Sequence, residues 1–135
     1  MLPHFINEET RALVDQIFEK IKNNVMISLT MEPEEMQIEG NASALDDEEE
    51  NARTYKWIRD QIDDGNDWAW CSVTVTVTLG TFSGSDSLGG CSYESEKAFR
   101  VPGGYYSDMV WEATQACAYE ITQSIETLRK LELIP

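Results

Sequence analysis

From Trp68 to Leu79 the chain changes polarity at every step. Ala69, Cys71, Val73, Val75, Val77 and Leu79 fall on one side of an extended backbone; Trp68, Trp70, Ser72, Thr74, Thr76 and Thr78 fall on the other. A helix, turning about 100° per residue, would scatter those apolar positions around its whole circumference, whereas a strand gathers them on one face. The β-branched residues also suit a pleated, half-buried surface. The run predicts a strand over Trp68–Leu79 with its apolar face in a core. Gly80 opens a turn, and Phe82, Gly84, Asp86 and Leu88 alternate with serines as an antiparallel partner. The pair Gly89-Gly90 predicts a bulge before Cys91-Ser92-Tyr93.

The flanking segments follow the helical period. Asn7 caps a helix expected to reach Asn23, with Glu8 and Glu9 at the positive end of its dipole and a stripe of Leu13, Ile17 and Ile21 widened by Val14 and Phe18. Val25, Ile27, Leu29 and Met31 then alternate with polar positions as a strand. Pro33 turns the chain, and Met36 and Ile38 predict a short returning strand before Gly40. A second helix is expected over 47–64, capped by Asp46 with Glu49 as its capping-box partner and stopped by Gly65. After Pro102-Gly103-Gly104 a long helix is expected from Tyr106 to Leu131, with a stripe of Val110, Ala113, Cys117, Ile121, Ile125 and Leu128. The order α-ββ-α-ββ-α predicts an α+β fold, an antiparallel sheet of about four strands with helices packed on one face, and a single domain over 1–135.

Composition limits the chemistry. Twenty-five Asp and Glu face ten Lys and Arg, a formal net charge of −15. That balance disfavours direct binding to DNA or RNA and to anionic membrane surfaces, and steers the chain toward basic partners. No apolar stretch approaches the ~20 residues of a membrane span, and the first residues carry no basic flank or apolar run of a secretory signal. Cys71, Cys91 and Cys117 are odd in number and form no Cys-x-x-Cys pair. Cys71 and Cys117 fall on apolar faces, a Cys71–Cys91 bridge would need an oxidising compartment, and free thiols in a reducing cytoplasm are expected.

Catalytic and metal motifs fail on their missing partners. Gly84-Ser85-Asp86-Ser87-Leu88-Gly89 carries the letters of a Gly-Asp-Ser-Leu hydrolase signature out of order, and the only histidine available as a base is His4. The same scarcity removes Cys–His catalysis and the usual zinc sites. Asp46-Asp47-Glu48-Glu49-Glu50 has contiguous charges without the central glycine of a calcium loop, and Gly89-Gly90 lacks the lysine of a phosphate loop. No residue pattern selects a pair of carboxylates for acid–base work. No enzyme activity, cofactor or metal is expected.

Two features point to binding instead. Glu32, Glu34, Glu35, Glu39, Asp46, Asp47, Glu48, Glu49 and Glu50 crowd one stretch without a Lys or Arg, either as a solvated loop and dipole-matched helix start or as a surface that imitates nucleic-acid phosphates. Trp68 and Trp70 project from an otherwise polar strand face, and Tyr93, Phe99, Tyr105, Tyr106 and Trp111 follow closely, as core or as a binding surface.

The segments Trp68-Ala69-Trp70-Cys71, Leu88-Gly89-Gly90-Cys91-Ser92-Tyr93 and Gly104-Tyr105-Tyr106-Ser107-Asp108-Met109 resemble a group of small uncharacterised proteins of bacteriophages and prophages, across about the C-terminal half of the chain. That resemblance implies a small accessory protein acting in the cytoplasm of an infected bacterium, where such proteins often inhibit host machinery. The expectation is a non-enzymatic acidic protein that binds a basic, nucleic-acid-handling or defence protein of the host. Its candidate contact residues are Glu32, Glu34, Glu35, Glu39, Asp47, Glu48, Glu50, Trp68, Trp70, Tyr105, Tyr106 and Trp111. The alternatives are a small-ligand or peptide-binding domain using the aromatic surface and, last, an enzyme with a carboxylate-only site; a homodimer is left open.

Overall fold

A computed structural model describes residues 6–43 and 45–135, so His4 lies outside the described residues. The fold is α+β, with four α-helices and a three-stranded antiparallel sheet. Helix α1 spans Glu8–Ile21, strand β1 Met26–Pro33, α2 Glu48–Asp63, β2 Cys71–Leu79, β3 Phe82–Cys91, α3 Glu96–Phe99 and α4 Tyr105–Lys130, and a 3₁₀ turn, Asp67–Ala69, precedes β2. The sheet order is β1-β2-β3, so β2 is central and β1 and β3 form the edges.

Local chemistry sets the element ends. Asn7 Oδ1 accepts the Thr10 N–H at 2.8 Å and starts α1. Asp47, not Asp46, caps α2: its backbone is extended (φ −108°, ψ 101°) and its carboxylate accepts the Glu50 N–H at 3.1 Å, one residue later than the Asp-x-x-Glu spacing suggests. Gly65 (φ +92°) ends that helix, its N–H bonding to the Ile62 carbonyl. Gly80 (φ +61°) leads the two-residue turn between β2 and β3, the position where a type II′ hairpin requires a positive φ. Thr74 and Ser87 pair their hydroxyls across the hairpin at 2.9 Å, and beyond the ends of the two strands the Tyr93 N–H bonds to the carbonyl of Trp68 in the 3₁₀ turn. Gly90, next to the end of β3, holds a positive φ of +63°.

Three strands are present among the described residues, and the returning strand expected at Met36 and Ile38 is replaced by a loop. Glu34 still donates its N–H to the Trp70 carbonyl, but the chain then leaves the sheet. Ile38 turns back on itself, accepting from both Asn41 and Ala42, and Met36 offers its carbonyl to the Trp70 indole N–H at 2.7 Å. The loop covers a tryptophan instead of extending a sheet.

Contacts divide the chain into two units. The first takes in the described residues through Ser28, Val75–Asp86 and Ser107–Pro135. Val14, Phe18, Ile21, Val75, Val77, Met109, Ala113, Cys117 and Ala118 are buried in it. Gly84 makes this packing possible: a Cβ there would lie 2.2 Å from the Ala113 carbonyl oxygen and 2.4 Å from the Cys117 nitrogen, so backbone meets backbone. The second unit takes in Leu29–Thr74 and Ser87–Tyr106. Ile58, Ala69 and Trp70 form one buried cluster there, flanked by Ile38, Ala42 and Ile62, and Cys71, Val73, Cys91 and Phe99 are also buried.

The buried face of α4 differs from the expected stripe. Met109, Ala113, Thr114, Gln115, Cys117, Ala118 and Thr122 are buried, while Leu128 is exposed. The threonines go inside because each returns its hydroxyl to the carbonyl four residues back, Thr114 to Val110 at 2.7 Å and Thr122 to Ala118 at 2.9 Å. Among the described residues no helix is long and apolar enough to cross a membrane.

Candidate functional site

The acidic stretch separates into residues the fold uses and residues it leaves in water. Glu34 is half-buried and accepts the Gly90 N–H at 2.8 Å. Glu39 pairs with Arg59 and Glu50 with Arg53. Asp47 is occupied as the α2 cap. Glu32, Glu35, Asp46, Glu48 and Glu49 are exposed and lie in no ion pair among the described residues.

The other end of α2 extends this acidity. Asp60, Asp63 and Asp64 crowd its last turn, which holds no basic residue. Asp60 pairs with Lys56 at 2.6 Å; Asp63 and Asp64 are exposed and in no ion pair. Carboxylates at the first turn of a helix meet the positive end of the macrodipole, but at the last turn they meet its negative end, at a cost of roughly 0.3–1 kcal/mol each. Across the described residues five of the twenty-five carboxylates are ion-paired: Glu19, Glu39, Glu50, Asp60 and Glu96. Asp63 and Asp64 were missed as site candidates because a sequence scan for acidic runs registers their number and not their place on the helix.

The candidate aromatics do not form one surface. Trp70 is a core residue, 3% exposed, and this corrects its assignment to a partner-binding face. The alternating pattern runs backward past Cys71 into the 3₁₀ turn, where backbone direction changes and the indole swings under the loop at Met36. Trp68, half-buried, packs on Phe99 at 5.6 Å between ring centroids. Phe99 is itself 1% exposed and also meets Tyr93 at 5.1 Å and Tyr106 at 5.8 Å, both edge-on. Arg100 lies over the Tyr106 ring at 4.8 Å and donates to its hydroxyl at 2.8 Å. Trp111 belongs to another cluster: it packs on Phe18 at 5.9 Å and remains 50% exposed.

Tyr105, 61% exposed, rims a cleft of ≈ 310 Å³ whose wall is the 88–93 segment. Burial, the neighbouring Cys91, Tyr105 and Cys71 raise the Tyr93 phenol in that cleft. The three cysteines are buried and free. Burial, with Cys91, Glu34 and Asp67 nearby, pushes the Cys71 thiol up to about 12. Burial raises Cys91 with help from Glu34; burial and Glu120 raise Cys117, opposed by a backbone hydrogen bond at Leu79. A thiol held in its neutral form is a poor nucleophile and a poor metal ligand. Among the described residues no three His, Cys, Asp or Glu side chains converge as a metal-binding group.

What the surface offers is therefore fixed negative charge and exposed aromatic area. No family model, no curated protein and no solved structure matches the chain.

Proposed function

We propose that the chain is a non-enzymatic acidic accessory protein, of the kind bacteriophages encode, that docks on a basic surface of a host protein and blocks it. The single observation that carries this reading is the pair Asp63 and Asp64 at the wrong end of α2 for the helix dipole, exposed and in no ion pair among the described residues. Acidic residues at Asp47, Glu48 and Glu49 have a structural reason to be where they are; these two oppose stability, and a charge-complementary partner supplies the reason the fold does not. A basic groove that normally holds nucleic-acid phosphates is the complementary surface, and its attraction falls steeply with salt.

The experiment measures stability and binding on the same variant. Asp63→Asn with Asp64→Asn is expected to raise the melting temperature slightly and to weaken binding to a nona-arginine peptide at low salt. Capture from bacterial lysate on wild-type and variant resin then identifies the partner by its selective loss. Undiminished nona-arginine binding by the variant sinks the reading.

A second reading rests on the cleft beside Tyr105. Its wall is the 88–93 segment, and Tyr93 and Tyr105 supply rings for a flat or proline-rich ligand. Salt-independent binding that is lost with Tyr105→Ala would favour this reading over the acidic one.

A further inference from the structure

Among the described residues the outer edge of β1 has no strand beside it. Because the Glu34 N–H bonds to the Trp70 carbonyl, antiparallel alternation turns residues 32, 30, 28 and 26 toward β2 and residues 33, 31, 29 and 27 away from it. Pro33, which has no N–H to give, falls on the outward set, where an edge strand tolerates proline. Ile27, Leu29 and Met31 are left with outward N–H and C=O groups that no described residue takes up. Natural edges are usually blunted by lysine, proline, a bulge or a covering segment. From Met26 to Met31 there is no charge and no proline, Met26 is 77% exposed and Ile27 46%.

We infer that this edge receives an extended, basic segment of the partner protein as an added strand. Charge selects the occupant. The edge runs into Glu32, Pro33, Glu34 and Glu35, and no Lys or Arg occurs between Lys22 and Arg53. A second copy at a net charge of −15 is repelled from that end, while a strand bearing Lys or Arg is drawn to it. Main-chain hydrogen bonds supply affinity, and Met26 and Ile27 offer apolar contacts to alternate side chains of the incoming segment. This inference rests on the acidic-partner reading and adds the place and mode of contact.

The test uses an alternating Lys-Val heptapeptide, its fully N-methylated form and an alternating Glu-Val control, titrated against the whole chain by calorimetry. The Lys-Val peptide is expected to bind with backbone shifts along Ile27–Met31 in an NMR titration. N-methylation is expected to weaken it at least about tenfold, since several main-chain hydrogen bonds are lost together. Ile27→Pro removes one outward N–H without touching the ladder to β2 and is expected to weaken binding similarly while circular dichroism stays unchanged. Full-strength binding by the N-methylated peptide overturns the edge proposal whether or not the proline variant folds. If Asp63→Asn with Asp64→Asn weakens the peptide and N-methylation does not, the edge proposal falls and the acidic reading stands. A dimer in sedimentation that Ile27→Pro makes monomeric assigns the edge to a second copy and also overturns it.

Discussion

The Glu34 carboxylate holds the backbone N–H of Gly90, 56 residues farther along the chain, at 2.8 Å. Gly90 has φ +63°, and a Cβ on the preceding Gly89 would stand 2.9 Å from the same carboxylate, which would have to move aside. An acid counted among the partner-binding residues is thus a bracket for the end of β3. Glu34→Ala strands a half-buried donor and is expected to cost about 1–2 kcal/mol in chemical denaturation. Glu34→Gln keeps an acceptor and is expected to cost less than half of that.

Gly84→Ala is expected to be among the most damaging single changes. A methyl group there meets the α4 main chain, which has no rotamer to change, so α4 must shift bodily. The expected cost is about 3 kcal/mol, read as a shifted denaturation midpoint. Gly40→Ala, where no atom lies within 4 Å, is the control that isolates backbone strain at a positive φ from steric exclusion.

The thiols predict a stability profile at alkaline pH. An exposed cysteine in the unfolded chain ionises near pH 8.5, whereas in the folded chain Cys71 is pushed up to about 12 and Cys91 and Cys117 are raised. Above the unfolded value the unfolded state releases protons that the native state retains. Stability is then constant with respect to these groups below about pH 8 and declines as pH rises toward 12. Replacing Cys71 with Ala should flatten the decline in urea melts between pH 8 and 10. At pH 8 none of the three thiols should react with a disulfide reagent until the protein is unfolded.

Glu132 holds the one positive φ outside glycine among the described residues, +59°, just past the end of α4. Its N–H bonds to Arg129 and the Leu133 N–H bonds to Leu128, the two hydrogen bonds of a Schellman cap, with glutamate in the place that favours glycine. Glu132→Gly should therefore raise stability by about 1 kcal/mol, seen as a higher melting temperature.

Much of this architecture was readable because single residues carried single meanings. The valines at 73, 75 and 77 could lie together only on a strand, Asn7 and Gly65 marked helix ends, and Gly80 marked the hairpin. The failures share a cause. Trp70 and the Met36–Ile38 loop explain each other, and neither can be placed without the other across 34 residues of sequence. Thr114 and Thr122 read as polar until their hydroxyls are seen bonding to their own helix. The short helix Glu96–Phe99, capped by Ser95 at 3.1 Å, escaped notice because four residues hold too little periodicity to register. Candidate contact residues fared similarly: a count of charges finds Glu32–Glu50, but only the helix direction distinguishes Glu48, which the dipole welcomes, from Asp63, which it opposes.

The order β1-β2-β3 also has a consequence for how the chain assembles. The β2–β3 hairpin closes across two residues, Gly80 and Thr81, and can form within microseconds. β1 joins β2 only after the whole of α2 and its flanking loops have been looped out between them. β1 is thus the last strand to arrive, and until it does the edge of β2 stands open with Val73, Val75 and Val77 on the adjoining face. Until β1 pairs, the mutual repulsion of chains at −15 opposes pairing of that open edge with another copy.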